Sequence, residues 1–98
     1  MTRQDAVNAL VIMAAKISKA SPGSEWYLFG SLARNDPAPR DIDLMIVCVD
    51  HAQADYLRAT IDTDALNLPI DLSLLTFGEA LEIDAIAQQH AQRFFPHP

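Results

Sequence analysis

One apolar run limits the folds open to this chain more than any other segment. Residues 44–49 contain no polar position, and two aspartates lie just before them, Asp41 and Asp43. Successive side chains of a strand point to opposite faces of the sheet, so a run that is apolar throughout predicts a strand covered on both faces. We therefore predict a central strand over residues 42–49.

Helical and strand patterns alternate along the rest of the chain. Apolar residues recur at helical spacing near the amino terminus, and Thr76 with Glu79 forms a capping box that predicts the start of another helix. This alternation predicts a single α/β domain over residues 1–98. Helices are predicted over residues 2–19, 31–34, 51–63 and 76–89, and strands over residues 25–29, 42–49, 69–75 and 92–95.

The composition limits the partners of such a domain. The formal net charge is −6, with seven lysines and arginines against thirteen acidic residues. Sequence-independent binding to DNA or RNA depends on cations at the phosphates, so a long nucleic acid is not expected as a partner. No apolar run is long enough to span a membrane, and the interrupted apolar pattern near Asp5 is not that of a secretion signal. With Cys48 as the single cysteine, we expect a cytoplasmic protein.

Three acids are candidate metal ligands. Asp41 and Asp43 lie on one face of the predicted strand, with Cα atoms about 6.5–7 Å apart, and Asp71 lies inside a later strand. Carboxylates at this spacing converge on one ion or bridge two, and hard oxygen ligands favour Mg²⁺ or Mn²⁺. Two such ions assist an in-line phosphoryl displacement. The alternative for each acid is a solvated strand edge without a ligand.

A turn of small residues precedes the acids. Gly30 and Ser31 end the first predicted strand and begin a short helical turn, whose free N–H groups favour an anion. Glycine allows the backbone to approach such an anion closely. Arg34 is a candidate phosphate ligand, with an exposed surface arginine as the alternative. The histidines lack the spacing of zinc ligands.

These motifs together resemble a known superfamily. Gly30-Ser31 is followed after nine residues by the segment from Asp41 to Leu44, and Asp71 lies in a later strand. This order is similar to that of the nucleotidyltransferases that include DNA polymerase beta. The short chain and the segment Gly-Ser-Leu-Ala-Arg resemble the minimal nucleotidyltransferase (MNT) proteins, many of which are antitoxins paired with HEPN-domain toxins. The resemblance implies a small mixed sheet flanked by helices, as in the polymerase beta palm.

The MNT resemblance also implies a reaction. A nucleoside monophosphate, AMP from ATP, would move to a hydroxyl group of a partner protein with the help of two Mg²⁺ ions. Asp41 and Asp43 would bind the metals, and Asp71 would hold the catalytic metal and help activate the hydroxyl. Gly30 and Ser31 would bind the terminal phosphates. The partner would be a HEPN-type toxin, or a second copy of the chain would complete the pocket.

Two alternatives remain open at this point. In the first, the chain is a non-catalytic module that neutralises a partner toxin by contact alone. In that case Asp41→Asn leaves neutralisation intact. In the second, the chain is a nucleotidyltransferase that modifies a small molecule, such as a drug, by the same chemistry.

Overall fold

The computed structural model describes residues 1–97, so Pro98 of the predicted domain lies outside the described residues. Helices and strands alternate as the sequence predicts, except that two helices follow one another before the last strand. No helix in the described part of the chain has the length and apolar character of a membrane span. The elements are α1 (Arg3–Ile17), β1 (Glu25–Phe29), α2 (Gly30–Ala33), β2 (Ile42–Cys48), α3 (His51–Thr60), β3 (Ile70–Thr76), α4 (Phe77–Glu82), α5 (Ala85–Gln88) and β4 (Gln92–Phe95).

The strands form one mixed sheet of four, in the order β3-β2-β1-β4. Strand β1 is antiparallel to both β2 and β4, whereas β2 and β3 run parallel. The predicted α/β class with a mixed sheet is therefore confirmed. Strand β2 lies inside the sheet, and all but one of its residues are buried. The strand ends at Cys48, and the next backbone N–H, that of Val49, donates to the side-chain oxygen of Gln53 at 2.9 Å.

Helices α1 and α3 cover one side of the sheet, which we call the first face. Leu10 of α1 and Leu57 of α3 belong to one buried cluster with Leu28, Leu44 and Ile46 of the sheet. All five side chains are fully buried, so this cluster is the main core of the domain.

The other side of the sheet, the second face, is covered only in part. Met45 and Val47 form a smaller buried cluster there with Ala80 of α4 and Ala85 of α5. Side chains alternate along a strand, so Asp43 shares this face with Met45 and Val47. Because α4 and α5 are short, the second face has an open part beside its core.

The single helix predicted over residues 76–89 is wrong. The structure has two short helices, α4 and α5, separated by a turn at Ile83 and Asp84. Asp84 adopts a left-handed conformation with φ of 53°, which aspartate tolerates better than most residues. In an unbroken helix, Ala80 and Ala85 would point about 140° apart. The turn lets both alanines reach the core of the second face.

We expect Thr76→Ala to lower the free energy of unfolding by about 1 kcal/mol. The Thr76 hydroxyl accepts the Glu79 backbone N–H at 3.2 Å, and the Glu79 carboxylate accepts the Thr76 N–H at 2.9 Å. The substitution removes the first of these bonds at the start of α4. Urea denaturation measures the change. The control Thr63→Ala removes a hydroxyl away from any helix start, and equal losses in the two variants would contradict the capping role.

Candidate metal centre

Three carboxylates meet on the second face at the start of β2. Asp43 and Asp71 are paired residues of the parallel strands β2 and β3, and Asp41 lies just before β2. One oxygen atom from each of the three acids lies within 4.8 Å of the other two. The structure thus brings together all three predicted metal ligands.

The buried isoleucines beside the acids explain this orientation. Ile42 and Ile70 are paired in the parallel ladder, and both are buried in the core of the first face. The next residue of each strand must then point to the opposite side, so Asp43 and Asp71 share the second face. The Ile42 N–H also donates to the Pro69 carbonyl at 2.9 Å, which aligns the two strand starts.

The electrostatics of the cluster suit a divalent cation. Partial burial raises the pKa of the Asp43 carboxyl, the charges of Asp41 and Asp71 raise it further, and the Arg34 guanidinium opposes them. Above this pKa the ionised carboxylate destabilises the fold, and protonation removes that effect as the pH falls. The Asp71 side chain is exposed. Three carboxylates with an open side could hold a metal ion and leave positions for water.

Gly30 lies directly against this cluster. It follows Phe29, the residue paired with Asp43 across β1 and β2, and its φ is +75°. A Cβ atom at Gly30 would overlap a carboxylate oxygen of Asp43 and lie 2.8 Å from its Cγ. The absent side chain therefore makes room for the Asp43 carboxylate, a role that the sequence analysis missed. The predicted approach of Gly30 to a phosphate stays a prediction.

Ser31 and Arg34 lie at the same end of the sheet. Ser31 is in the first turn of α2 and is half-buried, whereas Arg34 ends the helix and is exposed. The Arg34 guanidinium is 3.7 Å from the Asp36 carboxylate, and its charge reaches Asp43. Both residues are therefore near the acids, and their contact with a phosphate remains a prediction.

Comparison with known proteins places the chain in a family without assigning a reaction. Residues 1–95 match the model of a family of unknown function, DUF6932. The chain belongs to the DUF6932 family. No curated protein and no solved structure matches it. All the candidate site residues of this DUF6932 protein lie inside the matched range. Because the family has no known function, a function can be inferred only from the residues of the site.

A cavity of about 330 Å³ in the DUF6932 protein is lined by Met45 and Ser73, each two residues beyond an acid on the same strand. The sequence analysis did not predict it, because its walls come from three strands and from α5. No local pattern shows that the turn at Asp84 brings α5 to this place. We call this cavity the α5 pocket, and it is lined by Phe29, Met45, Ser73, Leu75, Ile83, Ala85, Gln88 and Gln89.

Replacing EDTA by millimolar MgCl₂ should raise the melting temperature of the DUF6932 protein by about 3–6 °C, because a ligand of the folded state stabilises it. Asp43→Asn should lose most of this rise. The same variant in EDTA should melt about 2–4 °C above the wild type at pH 7, since repulsion among the acids is reduced. Differential scanning calorimetry measures both effects.

The matched control is Asp55→Asn, which removes an exposed carboxylate from α3, away from the acids. It should keep the full Mg²⁺ response. NaCl at equal ionic strength separates specific binding from screening. A rise of the same size with NaCl, or in Asp43→Asn, would show that the acids do not bind the ion.

Proposed function

We propose that this protein is a Mg²⁺-dependent nucleotidyltransferase that moves AMP from ATP to a hydroxyl group of a partner protein. One observation carries the proposal: carboxylate oxygens of Asp41, Asp43 and Asp71 lie within 4.8 Å of one another. Gly30 lies against the central acid. This combination of a glycine turn and three convergent carboxylates supports phosphoryl chemistry.

The three acids would have different roles in the reaction. Asp41 and Asp43 would bind the metals, and Asp71 would hold the catalytic one; the metals would supply charge neutralisation at the phosphate oxygens. The exposed Asp71 carboxylate would orient the attacking hydroxyl and accept its proton. The hydroxyl oxygen forms a bond to the α-phosphorus as the bond from that phosphorus to the β-phosphate oxygen breaks. Pyrophosphate leaves, and the product is a phosphodiester of AMP.

The terminal phosphates would bind at α2. Phe29 precedes this helical turn and has no side-chain oxygen that could cap it, so the first N–H groups remain able to bind a phosphate. The ion pair between Arg34 and Asp36 spans 3.7 Å at the surface, with the Arg34 side chain 67% exposed. Such pairs contribute little stability, so Arg34 can exchange Asp36 for a phosphate oxygen.

The acceptor would come from another protein. Leu81 is 82% exposed and Ile83, which lines the α5 pocket, is 61% exposed. Contiguous exposed apolar surface marks protein contacts, and we propose that these two side chains belong to such a surface. The MNT resemblance points to a HEPN-type toxin as the acceptor, in the cytoplasm, where the buried thiol of Cys48 would stay reduced.

The same surface favours a second candidate function. A module that neutralises its partner by contact alone would use Leu81 and Ile83 and would not need the acids. The two candidates differ in what happens to ATP. In the second, the partner is neutralised without any transfer of AMP.

An isotope experiment tests the proposal. The protein is incubated with Mg²⁺, the candidate partner and ATP that is labelled at the α-phosphate. We expect the label on the partner and none after addition of EDTA. ATP labelled at the γ-phosphate should leave the partner unlabelled, because the γ-phosphate departs in pyrophosphate. Neutralisation of the partner without α-label would reject the transferase in favour of the binding module.

A further inference from the structure

The α5 pocket lies directly beyond the acids along two neighbouring strands. Met45 follows Asp43 on the same face of β2, and Ser73 follows Asp71 in the same way on β3. Each step corresponds to about 6.5–7 Å. Gly30 and α2 adjoin the acids at the start of β2, whereas the pocket lies toward the end of that strand. The helical turn, the acids and the pocket are thus arranged in one line along the sheet.

We infer that the α5 pocket binds the adenine nucleoside of ATP, an inference that rests on the proposed function. With the terminal phosphates at α2 and the α-phosphorus at the acids, the nucleoside must extend away from α2. The α5 pocket is the cavity in that direction, and its volume of about 330 Å³ lies within the range of small-molecule sites.

The lining of the pocket suits a flat ring with polar edges. Its buried part is apolar, with the side chains of Met45 and Ala85, and the half-buried Phe29 ring offers an aromatic surface. An aromatic ring can stack on any nucleobase, because every base has a flat π-face. Polar groups come from the half-buried Ser73 and from the exposed amides of Gln88 and Gln89.

The amides indicate which base fits. A glutamine side chain offers a donor and an acceptor side by side, and adenine presents the complementary pair at N6 and N7. Guanine presents two acceptors, O6 and N7, at the same edge and would leave the amide oxygen unpaired. Within residues 1–97, the side-chain amides of Gln88 and Gln89 form no hydrogen bond with another protein group. A glutamine amide that reads the N6/N7 edge of the base therefore favours adenine over guanine.

Affinity measurements test this selectivity. Titration calorimetry with Mg²⁺ should give a dissociation constant for GTP about tenfold above that for ATP in the wild type. Gln88→Ala with Gln89→Ala should reduce this ratio to near one. The control is Gln4→Ala, which removes an exposed amide from α1 and should keep the wild-type ratio. An unchanged ratio in the pocket variant would overturn the inference.

A second variant fills the pocket. Ser73→Leu should weaken ATP binding by about tenfold, because the larger side chain occupies space that the base needs. A melting temperature close to that of the wild type shows that the variant is folded. If ATP affinity were unchanged while transfer to the partner fell, the pocket would hold the acceptor, and the inference would be wrong.

Photolabelling locates the base directly and does not depend on transfer. An ATP analogue with a photoreactive azide on adenine should label peptides that line the pocket, above all residues 83–89, which include four lining residues: Ile83, Ala85, Gln88 and Gln89. Label confined to peptides without a lining residue of the pocket would contradict the inference. If the wild type bound no nucleotide with Mg²⁺, the proposed function would fail as well. If Asp43→Asn lost ATP binding and the pocket variants kept it, only the inference about the pocket would fail. The proposed function would stand.

Discussion

Asp43→Asn will lower the rate of AMP transfer by about 10³-fold, the loss expected when a group that stabilises transition-state charge is removed. Asp43 is the central acid, because the charges of both Asp41 and Asp71 act on it. Asparagine keeps the shape of the side chain and removes the negative charge that would hold the metal. Transfer of α-labelled phosphate to the partner measures the rate, and Asp41→Asn should lower it in the same way.

The transfer assay needs two controls: proof that Asp43→Asn is folded, and a variant with a matched change elsewhere on the surface. Asp55→Asn alters an exposed aspartate of α3 and should transfer AMP at the wild-type rate. Asp43→Asn should keep its circular dichroism spectrum and should still bind the partner protein. Full transfer activity in Asp43→Asn would show that the carboxylate cluster is not the site of the reaction.

Gly30→Ala will lower the free energy of unfolding by roughly 2–4 kcal/mol, for two independent reasons. A φ of +75° is unfavourable for alanine, by about 1–2 kcal/mol. The added methyl group would also overlap the Asp43 carboxylate and lie 2.8 Å from its Cγ, so the carboxylate or the turn must move. We therefore expect the Mg²⁺-dependent rise in melting temperature to be lost as well. Urea denaturation and calorimetry measure the two effects.

The chain offers a matched glycine as a control. Gly78 lies in α4, and the nearest atom to a Cβ there is the Thr76 hydroxyl oxygen at 3.9 Å. Gly78→Ala should leave stability unchanged or raise it by up to about 1 kcal/mol. Combining Gly30→Ala with Asp43→Ala should restore part of the lost stability, since the second change removes the carboxylate. Equal losses at the two glycines would refute the steric explanation.

The parts of the fold that depend on local periodicity could be predicted from the sequence. The apolar run of residues 44–49 is sufficient to predict a buried strand inside the sheet, because apolar side chains on both of its faces need to be covered. The two-residue period of a strand then puts Asp43 on one face and Ile42 on the other. Asp71 is beside Ile70 in the same way, so the convergence of the acids follows once the two strands are neighbours.

The features that were missed depend on contacts between distant residues. Thr76 and Glu79 mark where α4 begins, yet no comparable signal shows that it ends before Asp84. Asp84 has to adopt a left-handed conformation so that α5 can return to the sheet, and that requirement comes from the core of the second face. The α5 pocket results from this return. The contact between Gly30 and Asp43 likewise requires β1 and β2 to be paired, which neither segment indicates alone.

The parallel pairing of Asp43 with Asp71 would also make binding of the proposed ion sensitive to strand alignment. Strand β3 is at the edge of the sheet and pairs with β2 in the described part of the chain. If β3 slipped by one residue, Asp71 would point into the apolar core of the first face, where an ionised carboxylate is strongly disfavoured. An ion held by both aspartates can exist only in the correct alignment. Opening of the edge strand would then require release of the proposed ion, so we would expect exchange of that ion and hydrogen exchange at β3 to be coupled.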